Sequence, residues 1–318
     1  MIALISNKWD LCVDQVVAAL SERGERFVRI NTEDLPGTEC TVQLPRFSYR
    51  VGSATFQDKL AGRLKSVWYR RPGKPFEYTP QPDQPTSQVV EYAHDQWYSF
   101  VQGLRGLKGV LWINDPGKNR DAECKILQLH VAQRIGLKIP RTCITSSQTD
   151  AIEFIESRRG RVVAKALSAP LIEYPDQDYF IFTSVPCDIS QVSPHELSIA
   201  PTIFQELLAP KTDYRVTVIG HDCFSVRIAA SADSSVPLDW RTAKEGLDFT
   251  PCTIPRSVSE RCVKLVTELG LVFGAIDLAE AKGDYYFLEI NPNGEWGWLQ
   301  TQARLPIAET LAEYLSTP

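Results

Sequence analysis

Two apolar runs in the last fifty residues constrain this chain more than any other feature. Phe273-Gly-Ala-Ile-Asp-Leu-Ala279 and Tyr285-Tyr-Phe-Leu-Glu-Ile-Asn-Pro-Asn-Gly294 each read as a strand, with Ala281-Lys-Gly-Asp284 as the turn between them. A hairpin centred near Gly283 sets Asp277 opposite Glu289. Side chains alternate faces along a strand. Asp277, Glu289 and Asn291 then share one face, while Ile276, Leu278, Leu288 and Ile290 fill the other. Directly opposed side chains have Cβ atoms about 5 Å apart, and like charges placed there destabilise a sheet. Two facing carboxylates therefore suggest a cation between them. Asp, Glu and Asn supply oxygen ligands only, which suits Mg²⁺ held by one or two carboxylates plus substrate phosphates. The alternative is a solvated hairpin face whose acids are incidental.

The bulk numbers narrow the class. A chain of 318 residues is long enough for two domains, or three small ones around a cleft. The net charge of −5, without a long run of one sign, gives no nucleic-acid footprint. No apolar run approaches the roughly 20 residues that span a bilayer, and Asn7-Lys-Trp-Asp10 interrupts the opening Met1-Ile-Ala-Leu-Ile-Ser6 before it resembles a signal peptide. The eight cysteines are scattered without a C-x-x-C pair. Reduced thiols in a cytoplasmic protein fit that spacing better than disulfides or zinc. The four histidines are scattered too, which disfavours a histidine metal site or triad.

Taken in order, Ile2–Ile5, a helix over 10–23 closed by Gly24, and Phe27–Ile30 make a β-α-β opening and a parallel sheet. Its first turn, Ser6-Asn-Lys-Trp-Asp10, lacks the glycines of a dinucleotide site. Thr41–Leu44, Phe47–Val51, Ser66–Arg70 and Val110–Ile113 read as further strands. Arg70-Arg-Pro-Gly-Lys-Pro75 is a basic turn, either a surface loop or a contact for an anionic ligand. Residues 76–87 read as a Pro- and Gln-rich loop, and 87–104 as a helix whose aromatics Tyr92, Trp97, Tyr98 and Phe100 belong to a core. The first domain closes near residue 118.

Beyond it come helices over 121–135 and 150–157. Arg161–Leu167 follows as a strand with Lys165 in its middle, a lysine that either snorkels at an edge or faces a cleft. Tyr214–Ile219 and Cys223–Ala229 form a hairpin around His221. Counting from that centre opposes Arg215 to Arg227 and Thr217 to Ser225, with Val216, Val218, Phe224, Val226 and Ile228 on the apolar face. Two arginines on one face repel unless an anion joins them, and arginine suits phosphate. The competing reading is salt bridging to neighbours such as Asp213. Helices over 257–269 and 305–315 complete the chain. A divalent metal, a lysine and arginines together equip a site for a nucleoside triphosphate. No G-x-x-x-x-G-K-[ST] motif is present, so such a site is not a P-loop.

At this point the motifs match a known family. Lys125…Gln128 with Gly136-Leu-Lys-Ile-Pro140, Val163-Ala-Lys165, Phe204-Gln-Glu-Leu207, Asp213-Tyr-Arg215, Gly274-Ala-Ile-Asp277 and Phe287-Leu-Glu-Ile-Asn291, in that order, resemble the ATP-grasp ligases. Val67-Trp-Tyr-Arg-Arg71, Asp239-Trp-Arg241 and Asn291-Pro-Asn-Gly-Glu-Trp-Gly-Trp298 narrow the resemblance to the microviridin- and graspetide-type peptide maturases. The resemblance implies an α/β ATP-grasp fold in three domains: an N-terminal domain over 1–118, a central lid over 119–200 and an ATP-grasp domain over 201–318. It further implies Lys125 and Lys165 on ATP phosphates, Glu206 and Leu207 at the adenine, and Asp277, Glu289 and Asn291 on Mg²⁺. Arg227 would neutralise the transferring phosphate, with Asp213 and Arg215 on the substrate side of the cleft. The implied partner is a precursor peptide whose leader docks by family analogy against Tyr179–Thr183 and the segment around Ser193–Ala200. Its Asp or Glu side chains would be activated as acyl phosphates and joined to Thr, Ser or Lys. The family often forms homodimers. Two other readings stand beside this one: an ATP-grasp ligase adding a free amino acid or amine to a carboxylate, and a non-catalytic nucleotide- or peptide-binding module.

Overall fold

The computed structural model describes every residue except 46, 58–63, 80–82, 169–170, 174–177, 181–182, 186–188, 231–237, 243–245 and 318. The chain forms two compact units. One comprises Met1–Asn119, Gly270–Phe273 and Pro292–Pro318; the other comprises Arg120–Leu269 and Gly274–Asn291.

The first unit begins with β1 (Ile2–Ser6), α1 (Leu11–Glu22) and β2 (Phe27–Asn31). Asp10 caps α1 by accepting a hydrogen bond from the Cys12 N–H, and the helix turns Cys12, Val13, Val16 and Leu20 inward. A side sheet follows, β3 (Cys40–Gln43), β4 (Ser48–Val51) and β5 (Ala54–Gln57), all antiparallel. Then come β6 (Ser66–Tyr69), α2 (Ser87–Gln102) and β7 (Leu111–Ile113). The main sheet has the order β2-β1-β6-β7 and is parallel throughout, as the β-α-β opening predicts. Ala3, Ile5, Val67 and Tyr69 pack from it against Tyr49, Phe56, Val101 and Leu104. Of the α2 aromatics, Trp97 and Phe100 join this core, whereas Tyr92 is exposed, contrary to expectation. Residues 80–82 of the expected loop lie outside the described residues.

The basic turn after β6 is not a ligand loop at its first position. Arg70 is 1% exposed; its Nε bonds Asp10 at 2.9 Å and its Nη1 bonds the Gly294 carbonyl at 3.0 Å. Its guanidinium also lies 5.7 Å from the Trp68 ring centroid. A buried charge persists only when paired and hydrogen-bonded, and here the partners come from two stretches far away in sequence, at Asp10 and at Gly294.

The second unit opens after α3 (Pro116–Ala122) with α4 (Lys125–Arg134). The sequence predicts one helix over 121–135. The break arises because Cys124 is extended as the N-cap of α4, and Gln128 Nε2 bonds the Ala122 carbonyl at 2.6 Å. β8 (Thr142–Thr145), α5 (Gln148–Ser157) and β9 (Val162–Lys165) precede the short pair β10 (Leu171–Glu173) and β11 (Asp178–Phe180) and helix α6 (Pro194–Ser198). β12 (Thr202–Glu206) then pairs antiparallel with both β8 and β9. Ala151, Val162, Leu197 and Phe204 form the core beneath.

The larger sheet of this unit comprises β13 (Thr212–Ile219), β14 (Asp222–Ala230), β15 (Leu247–Cys252), β16 (Phe273–Ala281) and β17 (Asp284–Asn291), in the order β15-β14-β13-β16-β17. Helix α7 (Arg256–Glu268) buries Val258, Cys262, Leu265 and Val266. A Cβ on Gly274 would stand 2.6 Å from Ile290 Cδ1 and 3.0 Å from Val266 Cγ2, so only glycine lets α7 and β17 close over β16.

The chain ends in the first unit with α8 (Gly297–Gln302) and α9 (Ile307–Ser316). α9 buries Ile307, Ala308, Leu311, Ala312 and Leu315, and Ser66 Oγ bonds the Leu315 carbonyl at 2.6 Å. Within this unit Asn114 is a clip. Its Nδ2 donates to the carbonyls of Phe273 and Pro292, and its Oδ1 accepts from the N–H groups of Val272 and Phe273. Those residues are where the chain leaves for β16 and returns from β17. Among the described residues no helix is long and apolar enough to cross a membrane. Leaving buried backbone groups unpaired costs about 1–3 kcal/mol each. Asn114→Ala is therefore expected to lower unfolding stability by roughly 3 kcal/mol, read from urea unfolding midpoints.

Candidate active site

The acidic hairpin has the expected register around its two acids: Ala275 pairs with Asn291, Ile276 with Ile290 and Asp277 with Glu289. Lys282 (φ 55°) and Gly283 (φ 83°) form a two-residue turn, in which two positive φ values match the twist of the flanking strands. An irregularity between Asp277 and Leu278 then pairs Leu278 with Phe287. The extra residue changes one prediction. Phe287, fully buried, takes the inward place expected for Leu288, which is only partly buried.

Each carboxylate has a cation against it. Arg215 Nη1 stands 2.9 Å from Asp277 Oδ1, with both side chains over nine-tenths buried. Lys125 Nζ stands 3.4 Å from Glu289 Oε2 and 3.2 Å from the Ala166 carbonyl. Between the acid and amide positions of β17, Gln128 binds the backbone of Ile290 on both sides, Nε2 to its carbonyl at 2.8 Å and Oε1 from its N–H at 3.1 Å. Gln128 thereby fixes the strand between Glu289 and Asn291. The sequence signal for this was a polar residue on the buried stripe of α4, beside Leu129, Val131 and Ala132.

The arginine hairpin differs from its prediction by one residue. Tyr214 pairs with Arg227, Arg215 with Val226 and Thr217 with Phe224. The turn is Gly220-His221, with Gly220 at φ 56°, rather than three residues centred on His221. Arg215 and Arg227 consequently occupy opposite faces of the sheet. Arg215 is buried beside Asp277, and Arg227 is exposed. The predicted apolar face is likewise divided, with Val216 and Val218 on one side and Phe224, Val226 and Ile228 on the other.

Asp213 shares the face of Arg215 and is 3% exposed, ion-paired with Lys211. Burial raises its pKa above the ordinary carboxylate value, and Asp239 raises it further, while Lys211 and Lys165 pull the other way. Lys165 Nζ bonds Gln205 Oε1 at 2.8 Å. Glu206, the last residue of β12, and Leu207 just after it are half-buried, and their N–H groups bond the carbonyls of Arg141 and Arg161. The Leu207 N–H is thus already committed to the Arg161 carbonyl. Nothing in the sequence singled out Lys211.

The oxygen-only set Asp277, Glu289 and Asn291, with two carboxylates facing each other, fits a hard divalent cation. A different trio, Asp10, Cys12 and Glu295, brings ligand atoms within 4.8 Å of one another. The Arg70 guanidinium already pairs with two of its members, Asp10 at 2.9 Å and Glu295 at 3.3 Å. That trio is an ion-pair cluster.

The fold is the ATP-grasp fold, and whole-length likeness places the chain beside peptide macrocyclases. Macrocyclase MdnC of Microcystis aeruginosa, solved with precursor peptide MdnA, is 25% identical with a TM-score of 0.84, covering 99% of each chain. Macrocyclase MdnB of the same organism is 26% identical with a TM-score of 0.78, covering 100% of this chain and 99% of its own. A RiPP-associated ATP-grasp ligase of Chryseobacterium gregarium, solved with ADP and a leader and core peptide, is 24% identical with a TM-score of 0.84, covering 99% of this chain and 96% of its own. No protein-family model matches the chain, and no curated protein does.

Two measurements test this geometry. Gln128→Leu leaves the Ile290 N–H and carbonyl without their partner and is expected to cost about 2–4 kcal/mol in urea unfolding. The second concerns Asp213. With its folded pKa raised, the folded state holds the proton more tightly than the unfolded chain. Its contribution to stability is full below the ordinary aspartate value and is lost as pH rises through the raised one. Asp213→Asn should therefore flatten the fall in unfolding midpoint with rising pH just above the ordinary aspartate range.

Proposed function

We propose that this protein is an ATP-dependent peptide macrocyclase, which activates Asp or Glu side chains of a precursor peptide and closes ω-ester or ω-amide rings. The observation that carries the reading is the carboxylate pair Asp277–Glu289, held by Arg215 and Lys125, in a chain that matches MdnC end to end. Functionally the chain divides into an N-terminal domain over 1–118, a lid over 119–200 and an ATP-grasp domain over 201–318.

A carboxylate is a poor acyl donor because its oxygen does not leave. Transfer of the γ-phosphoryl group of ATP breaks the bond to the β-phosphate, forms a C–O–P linkage on the carboxyl and releases ADP. A peptide hydroxyl or amine then attacks the carbonyl carbon. Phosphate departs, the nucleophile loses its proton, and the peptide is lighter by one water. Binding both partners on one peptide supplies proximity.

In this reading Asp277, Glu289 and Asn291 hold Mg²⁺, which when bound neutralises phosphate charge. Lys125 and Lys165 bind phosphate oxygens, and Glu206 with Leu207 flanks the adenine. Arg215 is better placed than Arg227 to neutralise the transferring phosphoryl group, since it shares the face of the carboxylates. Asp213 lines the peptide side. The leader docks on the lid, including the helix α6 and its flanks; Ile181 and Phe182 of the other expected docking segment lie outside the described residues.

Intact mass measurement of a precursor peptide incubated with enzyme, ATP and Mg²⁺ tests the proposal. Loss of one water per ring is expected, falling by about a hundredfold or more in Glu289→Ala. A gain equal to an added amino acid would replace macrocyclisation with the free-amine ligase reading.

A further inference from the structure

The two cations against the hairpin carboxylates have a role beyond binding phosphate. Asp277 and Glu289 bring two negative charges to adjacent strands, and Arg215 and Lys125 bring two positive charges to meet them. We propose that Arg215 and Lys125 are internal counter-ions that occupy the carboxylates until nucleotide arrives, so that the divalent cation binds tightly only together with a nucleotide's phosphates. The inference rests on the nucleotide-ligase reading above.

A divalent cation arriving alone meets a pair whose charge is already matched, and it must displace or crowd a guanidinium over nine-tenths buried. Within a desolvated site like charges repel far more than in water. A metal–triphosphate complex carries more negative than positive charge. Its phosphate oxygens are acceptors to which Arg215 and Lys125 can transfer, freeing Asp277 and Glu289 for the metal. Arginine suits that exchange because its planar fork bonds carboxylate and phosphate alike. Lys125 suits it because it sits at the first turn of α4 on a flexible stem, with its side chain about a quarter exposed.

The test uses Mn²⁺ as the probe and electron paramagnetic resonance of free Mn²⁺ as the readout, with and without ADP, on the full chain. The wild-type protein is expected to bind Mn²⁺ alone weakly and at least tenfold more tightly with ADP. In Arg215→Met, and separately in Lys125→Met should the buried substitution impair folding, Mn²⁺ alone is expected to bind at least tenfold more tightly than in wild type. The enhancement by ADP should shrink in both. Folded variants that bind Mn²⁺ alone no better than wild type would overturn the counter-ion role while leaving the metal site intact. Failure of wild type to bind Mn²⁺ even with ADP would instead overturn the metal reading of the hairpin, and the inference with it.

Discussion

Two carboxylates on neighbouring strands, Asp277 and Glu289, are the constraint around which the second unit is arranged. Left alone, such a pair opposes strand pairing by up to about 1 kcal/mol. Each also costs desolvation where it is buried. The unit answers with cations from two different elements, Arg215 from β13 and Lys125 from α4. The buried pair weighs most, since removing one partner of such a pair typically costs about 3–5 kcal/mol. Arg215 therefore matters more to the resting fold than the carboxylate repulsion it relieves. That is a poor arrangement for stability alone, because apolar residues of equal volume often do as well. It makes sense for a site that exchanges one set of ionic partners for another.

Backbone placement around the carboxylates is fixed by a few buried contacts. Gln128 grips Ile290 between Glu289 and Asn291, and Gly274 lets Val266 and Ile290 meet across β16. In the first unit Asn114 binds the chain on either side of the same hairpin, at Phe273 and Pro292. Arg70 adds the loop just beyond, through Gly294 and Glu295. None of these side chains is a metal or phosphate ligand in our reading. Gln128 and Asn114 both bind main chain, which fixes where the strand residues beside it stand.

What the sequence made legible follows the physics of register. The acidic hairpin could be counted correctly because its acids alternate with Ile276, Leu278 and Ile290, so a one-residue slip would set an acid among the isoleucines and away from its opposed partner. The bulge after Asp277 was invisible, because Leu288 and Phe287 serve equally well as apolar residues. The side strand β5 and the strand β15, which carries Pro251, gave too short or too broken a pattern to recognise. Arg70 looked like one of three loop cations. Its burial depends on Asp10 and Gly294, which lie far away in sequence.

The arginine hairpin fails for the complementary reason, and the failure carries information. β13 is buried on both faces, with Val216, Thr217 and Val218 all at 0% exposure, so no alternation distinguishes one register from its neighbour. The turn alone decides. Gly220 at positive φ accepts the first position of a two-residue turn, which a count centred on His221 overlooks. That single residue places Arg227 on the face opposite Arg215 and leaves Arg215 beside the Asp277 carboxylate. Family motifs identify residue types in order, but the face on which each residue works is set by turn geometry. A glycine beside an expected hairpin centre is therefore as much a part of the site as the arginine it orients.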